Sequence, residues 1–518
     1  MIFLLYVIRR EMSSKNAKSS EKTLHFWHQA ARLSEKSKGL LLLGREGAIL
    51  IASKRKKGWV QMASRTASIS MTEGPLGKSV LRFAIPVMLT GILQLLYNAA
   101  DLIVVGQFAE NGELALAAVG SSGPLINLIV NFFMGLALGT GVTLAIALGS
   151  GNRSVAERVT HTSMTMALIL GVAVGAIGLI FSPTFLRWMD TPSDVLDGAI
   201  AYLRIYFIGV PAIMLYNYGA TVVRTTGDTK TPLLILTASG LLNVLLNLVT
   251  VVFFGMAEEG VAIATVASNY ASAIAVILYQ MRSRGPTRLY LSRLRIDPGL
   301  FVRILRCGVP AGIQSSVFSF SNVLLQSAVN SLGSTIVAGC VASGNLDGFI
   351  YTAQNAFYHA TLTFTGQNVG AKKYERIGLV MRWGFLYSML TWFVTGGIML
   401  LFGEKLIALY IPGKPEAIAP GMQKLIVLAT TYFLCGLNEV VVGASRGMGA
   451  SLSPMVASIV GICGVRSLWA LVIFPLNPTV TLLYCAFPVS WGLTFLIQIP
   501  INRQAKRHLI KSGKTVLS

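Results

Sequence analysis

A carboxylate stands inside a long apolar run, Leu95-Leu96-Tyr97-Asn98-Ala99-Ala100-Asp101-Leu102-Ile103-Val104-Val105-Gly106. A charge deep in a bilayer costs about 2.5–3.5 kcal/mol on insertion scales, so such a residue usually faces a cavity and does a job there. Asn98 precedes Asp101 by one helical turn and sets an amide beside the acid. In another apolar run Asn243 and Asn247 are spaced i, i+4, so their amides share a helix face. An acid of this kind is expected to line an aqueous pocket, with the rest of the chain as its frame. Two other readings stay open: an acid near a helix end that reaches the interface, and asparagines that tie helices together.

Other polar residues interrupt apolar runs further on: Asp347, His359, Glu439 and Arg466. Glu439 or Asp347 could pair with Arg466, and a structural pair and a transport role are both open. No nucleophile–base or metal constellation stands out, so enzyme activity is not expected. There is no GxxxxGK[ST] loop, hence no sign of ATP use. The five cysteines form no CxxC pair and suit buried thiols, with no disulfide framework and no zinc site.

The elements that must position these residues are membrane helices. The chain has 518 residues, 53% hydrophobic and only 12% charged, against roughly 25% charged in soluble domains. From Val80 onward twelve apolar segments follow: 80–108, 115–147, 159–182, 199–222, 232–254, 260–281, 300–331, 335–365, 378–402, 421–444, 454–475 and 480–502. Each is long enough to cross about 30 Å of hydrocarbon as a helix. Lys and Arg concentrate in the loops after even-numbered segments, and acids gather in the loops on the other side. The positive-inside rule then puts both termini in the cytoplasm and Asp101 in the outer half of the first span. The net charge of +22 fits loops against anionic lipid better than a nucleic-acid partner. Residues 1–70 differ in composition, with fourteen Lys/Arg against four Glu, including Lys54-Arg55-Lys56-Lys57. They read as a disordered basic extension, or as the product of a start placed upstream of Met71, with contact to anionic lipid as the other option.

The chain repeats internally. Leu81-Arg82-Phe83-Ala84-Ile85-Pro86 matches Leu305-Arg306-Cys307-Gly308-Val309-Pro310, and Arg224-x-x-Gly227-x-x-x-x-Pro232 matches Arg446-x-x-Gly449-x-x-x-x-Pro454. With six spans each, both halves enter the membrane in the same sense, as in parallel repeats related by an axis along the membrane normal. The expected fold is therefore all-α and polytopic, with twelve transmembrane helices in two six-helix bundles related by a pseudo-two-fold. The bundles cover 71–284 and 300–502, joined by a cytoplasmic linker at 285–299 and followed by a basic cytoplasmic tail at 503–518. Asn98 keeps a counterpart in Asn322, whereas Asp101 falls opposite Leu325, so the acid marks a task of the first half. Gly135, Gly139 and Gly141 are expected to allow close helix packing. Pro86 and Pro310 favour kinks at matched sites.

Thr72-Glu73-Gly74-Pro75, the Asp101 stretch, Val223-Arg224-Thr225-Thr226-Gly227-Asp228-Thr229-Lys230-Thr231-Pro232, Gly366-Gln367-Asn368-Val369-Gly370-Ala371 and Ser445-Arg446-Gly447-Met448-Gly449 together resemble the multidrug and toxic compound extrusion (MATE) family. The resemblance covers about residues 72–502. It implies a V-shaped pair of bundles in the cell (inner) membrane and export of small organic, often cationic, compounds against inward H⁺ or Na⁺, with no cofactor. It also implies a coupling-ion or proton site at Asp101, Asn243 and Asn247, with Asn98 beside the acid and Thr265 as a fourth member. The second position of the fifth-span pair is Asn247 where the family pattern has Asp, so one carboxylate is missing. For the substrate cavity, Asp347 and Glu439 are candidate acids, and Tyr97, Tyr216 and Phe357 are aromatic residues that could stack on a cation. The bilayer is an expected partner; nucleic acid is not, and no obligate protein partner is evident. The alternatives are a lipid or lipid-linked saccharide flippase of the same superfamily, which a basic cavity would favour, and a channel or membrane scaffold indifferent to ion gradients.

Overall fold

The computed structural model describes residues 69–109, 112–411 and 413–513. The basic extension up to residue 68 and the end of the tail lie outside them. Twelve long helical stretches run through the described residues. They are α1 (Leu76–Phe108), α2 (Gly112–Gly149), α3 (Arg153–Trp188), α4 (Ser193–Thr225), α5 (Lys230–Phe253) and α6 (Glu258–Arg282) in the first half. The second half has α7 (Pro298–Asn330), α8 (Ser334–Gly370), α9 (Glu375–Tyr410), α10 (Ile418–Gly447), α11 (Leu452–Leu476) and α12 (Val480–Ser512).

Each expected segment is a helix, most of them extended by several residues at one or both ends. Ten are long and apolar enough to cross a bilayer by length and composition. The other two, α7 and α8, are as long but rich in Ser, Thr, Asn and Gln. They are the helices through which the second half meets the first: α7 packs on α2, and α8 packs on α1, α2, α9 and α10. Helices facing protein need less apolar surface than helices facing lipid, so hydropathy alone underrates them.

The contact map is nearly symmetric. The pairings of α1 with α5, α2 with α4, α4 with α6 and α5 with α6 recur as α7 with α11, α8 with α10, α10 with α12 and α11 with α12. The repeated Arg-x-x-Gly-x-x-x-x-Pro motif builds the same turn twice. Gly227 and Gly449 close their helices at φ +94° and +88°, a conformation L side chains rarely adopt, and Pro232 and Pro454 lie in the first turn of the next helix.

Gly135 and Gly139 of α2 face Gly308 and Gly312 of α7, so each helix offers two glycines four residues apart. A Cβ at Gly308 would lie 2.8 Å from the Leu136 backbone, and one at Gly312 would lie 2.7 Å from Phe132 O. With no side chains between them the two backbones approach directly, as in small-residue membrane interfaces. The expected packing role of Gly135 and Gly139 is thus found across the two halves, and Gly141 meets Thr221 of α4 instead.

The linker is strapped to α3. Tyr290 N–H donates to His161 Nε2 (3.1 Å), and Asp297 N–H donates to Thr162 Oγ1 (3.1 Å). Ion pairs join Arg158 to Asp297 (3.0 Å) and Arg293 to Glu157 (2.7 Å). Asp297 also caps α7, accepting from Leu300 N–H at 3.1 Å. That N–H bond, helped by the Arg158 guanidinium, holds the Asp297 carboxyl below the usual carboxylate range.

Two predictions follow from this packing. Gly308→Leu forces about 1–3 kcal/mol or more of overpacking. It should lower the thermal unfolding midpoint of purified protein by several degrees, while Gly397→Leu, in open space on α9, should leave it nearly unchanged. Asp297→Ala removes a cap and a partly exposed ion pair, together about 1 kcal/mol. Because the folded-state carboxyl is depressed, its contribution is full above the ordinary value and fades as pH falls through the folded one. The difference in midpoint between wild type and Asp297→Ala should therefore be present at pH 7 and shrink below about pH 4.

Candidate functional site

Asp101 lies seven residues inside the end of α1, well within the helix and away from its terminus. Its Oδ1 accepts from Asn247 Nδ2 at 2.6 Å, and its Oδ2 accepts from Thr265 Oγ1 at 3.4 Å. Asn243 Nδ2 donates to Thr265 Oγ1 at 3.4 Å, and Asn247 Nδ2 also lies 3.5 Å from Asn243 Oδ1. Four side chains from α1, α5 and α6 thus form one polar group around a single carboxylate. Asn247 is fully buried, and its Oδ1 has no hydrogen-bond partner.

The local fold places each member. The i, i+4 spacing of Asn243 and Asn247 turns both amides to one face of α5. Directly after Asn247 the helix widens into a π-turn, Leu248–Phe253. Such turns recur at functional sites because one extra residue re-aims the side chains around it. Thr250 ties the widened turn to α6 through Gly260 O at 3.0 Å. Tyr202 of α4 is buried within electrostatic reach of Asp101 and stacks with Tyr206 at 6.3 Å. Chemically the group can hold a proton on Asp101. It can also offer carboxylate, amide and hydroxyl oxygens to a small hard cation, if the Asn247 amide turns its oxygen inward.

Asn98 lies outside this group. It is exposed, and three residues of helix rotate it about 60° from Asp101. Three aromatic residues expected in a substrate cavity are engaged in packing. Tyr97 lies against Gly240 of α5, where a side chain would collide with its ring, and its OH donates to Thr237 O at 3.3 Å. Tyr216 is buried between α4 and the α5–α6 pair, with its OH on Pro232 O at 3.2 Å. Phe357 is buried beside Phe83 and Phe364 and stacks on Tyr387.

The second half carries a different set of charges. Asp347 of α8 pairs with Lys424 of α10 at 3.3 Å and accepts from Tyr432 OH at 3.4 Å. The pairing of Asp347 or Glu439 with Arg466, left open by the sequence, is not made among the described residues. The partner of Asp347 is Lys424. Lys424 is only 7% exposed and donates to Cys340 O at 2.9 Å. Its position inside an apolar segment was the signal available in the sequence. Glu439 of α10 makes no ion pair among the described residues. Arg446 is buried and donates to Tyr358 OH (2.7 Å) and Gln314 Oε1 (2.8 Å).

An apolar cavity between α2 and α4, lined by Phe133, Met134, Met214 and Tyr218 among others, measures ≈ 10 Å³, far too small for an organic substrate. Among the described residues no group of three or more His, Cys, Asp and Glu could hold a metal ion.

Comparison with known proteins places this geometry. The probable multidrug resistance protein YoeA of Bacillus subtilis (strain 168) is 28% identical over 432 residues, 81% of this chain and 92% of that protein. The probable multidrug resistance protein YpnP of the same organism is 30% identical, over 76% of this chain and 88% of its own length. Among solved structures, an outward-facing multidrug resistance MATE family transporter of the MOP superfamily superposes with a TM-score of 0.79, at 21% identity, over 86% of this chain and 99% of that one. The MatE family model matches residues 86–249 and 310–472, one stretch in each half and the first including Asp101, Asn243 and Asn247, and so the chain belongs to the MatE family of membrane transporters.

Proposed function

We propose that the protein is a secondary active exporter that moves small organic compounds outward in exchange for inward H⁺ or Na⁺. The observation that carries this reading is the Asp101 group: one carboxylate inside the first helix, bonded by Asn247 and Thr265 of two others. The multidrug resistance names of YoeA and YpnP support the substrate class. In this reading the protein lies in the cell (inner) membrane with both termini cytoplasmic, an orientation the loop charges support.

The cycle uses two positions of the bundles about their shared contact. With Asp101 charged, the first half favours a compound carrying positive charge. A proton or Na⁺ arriving from outside neutralises Asp101 and weakens its hold on the Asn247 N–H. The α1–α5 contact then repacks, with Pro86 as the point where α1 bends, and the compound is released outward. A ligand drives such a change only through unequal affinity for the two states. Competition for the charge of Asp101 supplies that inequality. Glu439 is a second source of negative charge for a cationic compound, whereas Asp347 is already matched by Lys424.

Efflux of a fluorescent organic cation from proteoliposomes tests the reading, with a pH gradient and a Na⁺ gradient imposed separately. Wild type should respond to at least one, and Asp101→Asn should reduce that driven rate tenfold or more with the fold intact. Efflux indifferent to both gradients and to the substitution would make Asp101 a structural acid and bring the flippase reading forward. Asn247→Asp swaps the donor on Asp101 for a second acceptor. Two carboxylates at hydrogen-bonding distance need a proton or a cation between them. The Na⁺-stimulated component of efflux at fixed pH should therefore rise at least threefold in that variant.

A further inference from the structure

The pseudo-two-fold gives three members of the Asp101 group counterparts in the second half, and the one charge among those counterparts is positive. Asp101 corresponds to Leu325 at an offset of 224, and the Thr265 hydroxyl to that of Ser490 at 225. The helices between them, α5 and α11, start in register with Pro232 and Pro454 at an offset of 222. α5 is regular from Lys230 to Asn247, but α11 widens early, in a π-turn at Ile459–Gly464. A π-turn takes up one extra residue. Beyond it the counterpart of Asn243 sits at an offset of 223, which is Arg466. The hydrogen bonds agree: Asn243 donates to Thr265 Oγ1 at 3.4 Å, and Arg466 Nε donates to Ser490 Oγ at 3.1 Å. Where the first half has an acid and an amide, the second has a leucine and a guanidinium.

Arg466 is only 7% exposed, yet it forms no ion pair among the described residues. The acid within its electrostatic reach, Asp347, is held by Lys424. Nε is bonded to Ser490, but neither Nη1 nor Nη2 makes a hydrogen bond to a described residue. The guanidinium lies over the Phe487 ring at 3.8 Å and within 5.4 Å of the Trp491 ring centre. Stacking on one ring and the bond to Ser490 fix the plane of the fork, with two parallel donors open. That is the geometry that grips a carboxylate or phosphate by two bonds, and a buried cation without a counter-charge is strained until one arrives.

We propose that Arg466, with Phe487 and Trp491 beside it, is a binding site for the acidic group of an aromatic or otherwise apolar compound, the acid being a carboxylate or a phosphate. The proposal deepens the transport reading by naming a class of compound the second half accepts, and it rests on that reading for its purpose. A compound carrying both an amine and an acid could then address the two halves with opposite ends.

Calorimetric titration of the purified full chain in detergent tests it with three probes of one shape: 2-naphthoate, 2-naphthyl phosphate and 2-naphthylmethylammonium. No gradient is present, so a failure of antiport in vesicles does not affect the readout. Wild type should bind at least one of the two acids tenfold or more tightly than the amine, and whichever acid binds more tightly names the group. Arg466→Gln should abolish that preference, and Arg466→Lys, which keeps the charge but loses the paired donors, should weaken it several-fold. Equal binding of acid and amine by wild type overturns the proposal, even if Arg466→Gln fails to fold. An acid preference unchanged in Arg466→Lys or in a folded Arg466→Gln overturns it as well.

Discussion

Four glycines set how near the two halves come. Gly135 and Gly139 on α2 and Gly308 and Gly312 on α7 let two backbones meet without side chains between them. In lipid, apolar surface gains little by leaving its surroundings, so helices associate through close van der Waals contact and interhelical hydrogen bonds. A single Cβ in this seam would push α7 away from α2, and with it the helices that α7 carries. The second contact of the halves follows the same logic at one end of the molecule. There Gly149 and Gly370 let α2 and α8 touch, and Gln367 Nε2 donates to Thr225 O at 2.8 Å.

Every charge inside the spans then has to be accounted for against the cost of removing it from water. The first half answers with neutral donors: an amide and a hydroxyl on Asp101. The second half answers for Asp347 with a full opposite charge, Lys424, whose ammonium also lies 5.0 Å from the Tyr484 ring centre. A carboxylate met by neutral donors remains available to a mobile cation. One met by a tethered ammonium is already occupied. The two intramembrane acids thus differ in the charge of the groups bonded to them.

Much of this was legible in the sequence. The apolar segments gave the helices because few other structures satisfy a backbone in lipid. The i, i+4 asparagines gave their shared face, and the Arg-x-x-Gly-x-x-x-x-Pro motif gave its turn. The partners of long side chains were not legible. Lys424 and Asp347 lie 77 positions apart, and only packing of α8 on α10 brings them together. Tyr216 and Phe357 stood as candidates to stack on a cation because sequence does not say which face of a helix is crowded. Nor did it reveal the π-turn at Ile459–Gly464, since no residue type demands one, and that turn decides which residue of α11 stands opposite Ser490.

The strap at Asp297 has a mechanical meaning. It ties the start of α7 to α3 by an ion pair and one backbone bond, and caps the helix through Leu300 N–H, so that end of the helix is held in place. α7 has 33 residues, and at a rise of about 1.5 Å per residue it is a rod about 50 Å long. A tilt of about 10° about that end would carry the far tip through about 9 Å by plain geometry of that length. Any change of angle at that end of α7 is multiplied at the other by the length of the helix.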